Sequence, residues 1–239
     1  MERETVREVT VIIPTYNRPE ILRQTIRNLL THLKFDGYIK VLVGNDSDRE
    51  HTIVYSGRGL ELMPREVEII PGPRQGLGAN LNMLLTMAET PVVLQMDDDH
   101  WLVELLDITH YYDDLVRPGS RNGWIRLFLG EEKDFYGNQV GYYKFDASNL
   151  GPYWYLKPRI RELYIPSNRP HLKRRDFHVM YGKYKEGVRL GNTEEAFCHQ
   201  FEDKFMKLGP DKQWVTIPMF GLQVNQWKHV GDSWQKEGL

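Results

Sequence analysis

Four short apolar runs, each closed by a turn, constrain this chain more than any other feature. Val9 to Ile13, Ile39 to Val43, Val67 to Ile70 and Val92 to Leu94 are continuous and rich in β-branched residues, the pattern of strands buried on both faces. After the first, Leu22, Ile26, Leu29, Leu30 and Leu33 fall on one face of a helix with Pro19 in its first turn and Gly37 beyond its end. After the third, Leu81, Leu84, Leu85 and Ala88 turn inward in the same way. Strands alternating with helices predict an α/β fold with a mostly parallel central sheet and helices on both faces. In such sheets ligands bind beyond the carboxyl ends of the strands.

The residues at those ends carry the chemistry. Pro14-Thr15-Tyr16-Asn17-Arg18-Pro19 follows the first run, Gly44-Asn45-Asp46-Ser47-Asp48 the second, and the glycine- and proline-rich loop Pro71 to Gly78 the third. The fourth delivers Asp97, Asp98, Asp99 and His100. Three crowded carboxylates repel one another unless a cation joins them. Mg²⁺ takes one or two protein carboxylates and fills its remaining positions with phosphate and water, which makes a metal–phosphate site the simplest compensation. The alternative is a solvated acidic turn at the N-terminus of a following helix, read as Trp101 to Val116, where negative charge is favoured. His100 is either a further ligand or a partner of the acids beside it.

The second half is less regular. Gly123 to Leu129 and Gln139 to Phe145 read as strands of antiparallel sense, and residues 150–190 mix aromatics, prolines and bases without a clear period. A helix returns at Thr193 to Leu208, with Phe197, Phe201, Phe205 and Leu208 on one face and Asn192 as its expected N-cap. In that register Glu195 is the N3 residue of a capping-box-like arrangement, where a glutamate is expected without any catalysis. Strand-like pieces occupy Trp214 to Trp234, with His229 among aromatics and glycine.

At 239 residues, 41% hydrophobic and 27% charged, the chain is expected to form one domain with a substantial core. Its regular half is expected over 1–117 and its less regular half over 118–239. The net charge of −2 argues against a polyanion binder by bulk charge. No apolar stretch reads as a secretory signal or a membrane span. With Cys198 the sole cysteine, a cytoplasmic location is the expectation. One local exception stands out. Lys157 to Arg189 holds ten Lys or Arg against three acids, interleaved with Tyr164, Phe177, Tyr181 and Tyr184. That pattern fits either a solvated surface or one facing phosphates or nucleic acid. Trp124, Tyr153, Trp154 and Tyr155 either stack on sugars or bases or belong to the core.

Val-Ile-Ile-Pro-Thr-Tyr-Asn-Arg at 11–18, Val43-Gly44-Asn45-Asp46-Ser47, Gly76-Leu77-Gly78-Ala79 with Asn82, and Met96-Asp97-Asp98-Asp99-His100-Trp101 together resemble family 2 glycosyltransferases, which have the GT-A fold and a D-x-D motif. In the second half the resemblance rests on Gly191-Asn192-Thr193-Glu194-Glu195 and His229. It implies a donor base pocket lined by Pro14, Thr15 and Tyr16, with Asp46 on the base. Arg18, Arg74, Gly76, Asp97 and Asp98 would join the donor site, with Asp97 facing the ribose. Asp99 would coordinate Mg²⁺ or Mn²⁺ bridging the diphosphate, with Asp97 and His229 as further metal-site residues. Glu195 would be the catalytic base and Glu194 its neighbour. Family members often carry Arg just before the position of Asn82. Leu81 stands there instead, and Arg74 is the candidate replacement.

Sugar transfer from a nucleotide sugar (UDP- or another NDP-sugar) requires neutralisation of the leaving diphosphate by a metal. It also requires a carboxylate to take the acceptor hydroxyl's proton, with the two groups on opposite faces of the sugar for inversion. The acceptor expected is a glycan, a lipid-linked glycan or a nucleic acid. Two other readings stand beside this one: the same chemistry on a hydroxylated nucleic-acid base, and a non-catalytic GT-A-like module that binds nucleotide sugar or glycan. A glycoside hydrolase is disfavoured, since paired carboxylates flanking a sugar need neither base pocket nor metal.

Overall fold

The computed structural model describes residues 6–47, 65–120, 122–127, 142–145, 153–156, 169–189, 191–208, 218–220 and 227–229. For 142–145, 153–156, 218–220 and 227–229 it describes the backbone alone. The first half follows the alternation of its sequence. Strand β1 (Glu8–Thr15) leads into helix α1 (Pro19–His32). The short β2 (Leu33–Lys34), then β3 (Tyr38–Asn45), β4 (Arg65–Pro71), α2 (Leu77–Met87) and β5 (Val92–Gln95) follow. Pro19 occupies the first turn of α1, where its missing N–H costs nothing. Gly76, at φ 87°, opens α2 in a conformation that a side chain rarely adopts.

Beyond β5 the chain departs from the expected helix. Trp101 to Val116 is β6 (His100–Leu102), β7 (Leu106–Asp107) and only then α3 (Thr109–Val116). The cause is tertiary. Asn28 of α1 donates through Nδ2 to the Leu102 carbonyl (2.8 Å) and accepts from the Leu102 N–H (2.6 Å), holding this stretch extended against α1. The second half supplies β8 (Trp124–Arg126), β9 (Tyr142–Phe145), β10 (Tyr153–Leu156), β11 (His171–Arg174), α4 (Phe177–Tyr181), α5 (Asn192–Lys207), β12 (Pro218–Phe220) and β13 (Trp227–His229). Strands form within the expected Gly123 to Leu129 and Gln139 to Phe145: β8 pairs antiparallel with β11 and parallel with β12, and β9 pairs antiparallel with β10.

Among the described residues nine strands form one sheet in the order β4-β3-β1-β5-β11-β8-β12-β10-β9. β4, β3, β1 and β5 run parallel, and β11 joins β5 antiparallel. Because β1 has β3 on one side and β5 on the other, the connections diverge there. The crevice between the carboxyl ends of β1 and β5 is the topological switch point. Each face of the sheet buries its own core. Leu22, Ile26 and Leu29 of α1 with Tyr112 and Leu115 of α3 cover one face. Leu81 and Leu84 of α2, Phe177 and Tyr181 of α4 and Phe197 and Phe201 of α5 cover the other.

Candidate active site

The switch point brings the first and fourth motifs together. Thr15, the last residue of β1, donates its hydroxyl to Asp98 Oδ2 at 2.6 Å. The Asp98 carbonyl accepts from Thr25 Oγ1 of α1 (2.5 Å), and Thr25 in turn accepts from Trp101 Nε1 (2.8 Å). The acidic turn is thus pinned by hydroxyls from two elements. Arg18, where the chain enters α1, donates through Nη1 to Asp98 Oδ1 (3.2 Å) and Asp99 Oδ2 (2.8 Å).

These bonds divide the three aspartates. Asp98 is buried and turned onto Thr15 and Arg18. Asp97, Asp99 and His100 converge instead, each offering a ligand atom within 4.8 Å of the others'. His100 is buried, with Nδ1 3.4 Å from Asp99 Oδ1. Burial pushes the Asp98 carboxyl up to about 6, against the pull of Thr15 and Arg18. Burial, helped by the neighbouring Asp99, Asp98 and Glu194, raises Asp97 well above the usual carboxylate range. The trio fits a divalent cation by its donor chemistry: two carboxylates and an imidazole suit a first-row ion such as Mn²⁺ at least as well as Mg²⁺.

The influence of Glu194 on Asp97 places the α5 N-terminus beside the acidic turn. The pair there is split. Glu194 is half-buried, and its charge is felt by Asp97, Tyr184 and Cys198. Glu195 has 53% of its side chain exposed and lies 3.9 Å from His199, one turn on. The expected cap is corrected. Gly191, at φ 93°, is the N-cap and Asn192 is already helical, which moves Glu195 one residue past N3, the acidic partner's position in a capping box. β13 pairs with β6 so that residue 229 lies opposite His100 in the backbone register. The His229 side chain lies outside the described residues.

The second and third motifs also meet. Asp46 accepts from the backbone N–H of Arg74 and, at 3.1 Å, from that of Gly76. A Cβ on Gly72 would collide with Asp46, so the loop requires glycine to close over the acid. A donor base would share the Asp46 carboxylate with these two amides. Arg74 is exposed and has a left-handed backbone at φ 56°. Leu81 is fully buried in the α2-side core, which explains why no cation stands there. Pro14 is buried and Tyr16 is 58% exposed at the crevice mouth.

The basic stretch reads differently in three dimensions. Phe177, Tyr181 and Tyr184 are core residues, as is Trp124, and Tyr164 lies outside the described residues. Lys173 is also buried, and burial drives its amine well below the usual lysine range. It donates to Gln95 Oε1 (2.5 Å), which also accepts from Tyr184 OH (3.1 Å). It donates as well to His178 Nε2 (2.8 Å), an acceptor because His178 Nδ1 gives its proton to the Gly182 carbonyl (2.8 Å). This polar network beneath Asp97 was missed from sequence. Its one signal was Gln95, a polar residue inside an apolar run.

With a crevice at the switch point, an acidic turn after β5 and an acidic helix start beside it, the fold is that of the GT-A glycosyltransferases. Residues 10–115, rather less than half of the chain, match the family described as Glycosyl transferase family 2. Among similar solved structures is TarS of S. aureus, 17% identical with a TM-score of 0.52, the match covering 91% of this chain and 36% of that one. Residues 1–349 of TarS, in complex with UDP-GlcNAc, give 15% identity and 0.50, covering 91% and 57%. GalNAc-T7 with UDP, GalNAc and Mn²⁺ gives 16% and 0.52, covering 83% and 41%. The chain therefore spans 36–57% of the length of these solved chains. No curated protein matches it significantly. Among the described residues no helix is long and apolar enough to cross a membrane.

Proposed function

We propose that this chain is an inverting, divalent-metal-dependent glycosyltransferase that moves a sugar from a nucleotide-sugar donor to an acceptor hydroxyl. One observation carries the reading. Asp97, Asp99 and His100 converge beyond β5, and the charge of Glu194, at the start of α5, reaches Asp97. The donor-binding half is residues 1–117 and the acceptor-binding half 118–239. GalNAc-T7 was crystallised with UDP and Mn²⁺, and TarS with UDP-GlcNAc. A UDP-sugar is accordingly the first donor to test.

Asp97, Asp99 and His100 would hold the cation, which supplies Lewis-acid stabilisation of the departing diphosphate when bound. Asp98 keeps the turn in place through Thr15. Tyr16, exposed at the crevice mouth, stacks on the donor base, and Asp46 accepts from the base edge while fixing the loop to Gly76. Glu195 takes the acceptor proton. The acceptor arrives from solvent, and Glu195 is the member of the pair that faces it, whereas Glu194 faces Asp97. The core positions of Phe177, Tyr181 and Tyr184 leave no exposed described aromatic in the basic stretch for base stacking, which favours a glycan or lipid-linked glycan acceptor over a nucleic acid.

The decisive experiment is donor turnover and Mn²⁺ binding in Asp99→Ala, with Glu195→Gln and Glu194→Gln alongside. Asp99→Ala is expected to lose both metal-dependent nucleotide binding and turnover, and full activity in excess chelator would refute the metal role. Glu195→Gln should bind nucleotide normally while kcat falls about 100- to 10,000-fold. An active Glu195→Gln with a dead Glu194→Gln would move the base to Glu194.

A further inference from the structure

The carboxylates of the acidic turn already have a cation, and it is Arg18. Its guanidinium lies 2.8 Å from Asp99 and 3.2 Å from Asp98. A guanidinium keeps its charge at any ordinary pH. Asp99 is also one of the three residues that converge for a divalent ion. An ion on Asp99 would face Arg18 across a single carboxylate in a half-buried crevice, where like charges a few ångströms apart are strongly unfavourable. Arg18 is free to leave. Its side chain is 42% exposed, while those of Asp98 and Asp99 are 6% and 8% exposed. Asp98 stays anchored through Thr15 without it.

We propose that Arg18 is an internal counter-ion that stands in for the metal when none is bound and moves onto the donor diphosphate when the metal takes Asp97 and Asp99. The inference rests on the glycosyltransferase reading. A planar guanidinium suits a phosphate as well as a carboxylate, so the exchange swaps one anionic partner for another. Metal alone sends Arg18 into solvent without an anionic partner, whereas metal with a diphosphate gives it a new one. The two ligands therefore strengthen each other's binding, equally in both directions.

The test is Mn²⁺ affinity, by electron paramagnetic resonance, of the wild-type chain and of Arg18→Gln and Arg18→Lys, first without and then with inorganic pyrophosphate. Pyrophosphate carries the shared chemistry whatever the donor base. Arg18→Gln is expected to bind Mn²⁺ alone about tenfold tighter than wild type, and to lose most of the enhancement that pyrophosphate gives wild type. Arg18→Lys, which keeps the charge, should bind Mn²⁺ alone like wild type. It serves as the folded reference if Arg18→Gln is unstable, and a tighter-binding Arg18→Lys would count against the exchange. Unchanged or weaker Mn²⁺ binding by Arg18→Gln overturns the proposal. Asp99→Ala separates the two readings. Mn²⁺ bound by wild type but not by Asp99→Ala keeps the metal site and leaves Arg18 to be judged alone, whereas Mn²⁺ bound by no variant overturns both.

Discussion

Asp98 is the residue whose position best separates sequence from structure. In sequence it is the middle of three equivalent carboxylates. In the fold it is the one bonded to Thr15 and turned from the converging trio. Burial lifts its folded-state carboxyl from 3.8 to about 6. A carboxyl raised on folding favours the folded state fully below its unfolded value, and that contribution is lost as pH rises through the folded one. Asp98 therefore costs stability at neutral pH, at most about 3 kcal/mol by the size of the shift. Asp98→Asn keeps an acceptor for Thr15 and removes the charge. Thermal melts should show the variant gaining on wild type at pH 7.5, with the gain shrinking toward pH 4. A pH-independent difference would mean that Asp98 is ionised freely in the fold.

At the scale of elements, α1 does more than cover the sheet. Its buried face was legible from Leu22, Ile26 and Leu29, and the structure agrees. Its polar residues were not legible as functional, yet Thr25 and Asn28 hold the acidic turn and β6 in place. Thr and Asn on a helix are ordinary surface residues until another segment is known to lie against them. Asn28→Ala removes both bonds to Leu102 and leaves a partly buried backbone pair unsatisfied, at a cost of about 1–3 kcal/mol. Because β6 begins at His100, the variant should also bind Mn²⁺ more weakly. A stability loss in chemical denaturation with unchanged Mn²⁺ affinity would show that β6 holds its place without α1.

Across the whole molecule, the candidate site joins residues nearly a hundred positions apart. The α2-side core makes that possible, since Phe197 and Phe201 seat α5 against the sheet face that carries Trp124 and Val93. Phe197 is 1% exposed, and Phe197→Ala should cost about 3–5 kcal/mol. Its functional signature should be uneven. Mn²⁺ affinity of the folded protein should survive, because the ligands lie on the turn after β5 and at the start of β6, while turnover falls because α5 carries the acidic pair. Equal loss of both would show that the two halves do not separate energetically.

The sequence by itself determined the parallel half of the sheet, the two long helices of that half and the positions of the four strand-end motifs. Local pattern suffices for these: continuous apolar runs make buried strands, 3.6-residue periodicity makes a helix face, and the carboxyl ends of parallel strands lie at one edge. Tertiary structure alone decided the rest. It determined that Trp101 to Leu102 is extended rather than helical, that Asp46 is held by the amides of Arg74 and Gly76, that the aromatics of the basic stretch belong to the core, and that Arg18 rests on Asp98 and Asp99. Each of these depends on a partner distant in the chain. Hydrogen bonds and ion pairs act over a few ångströms, and only folding brings such partners within that range.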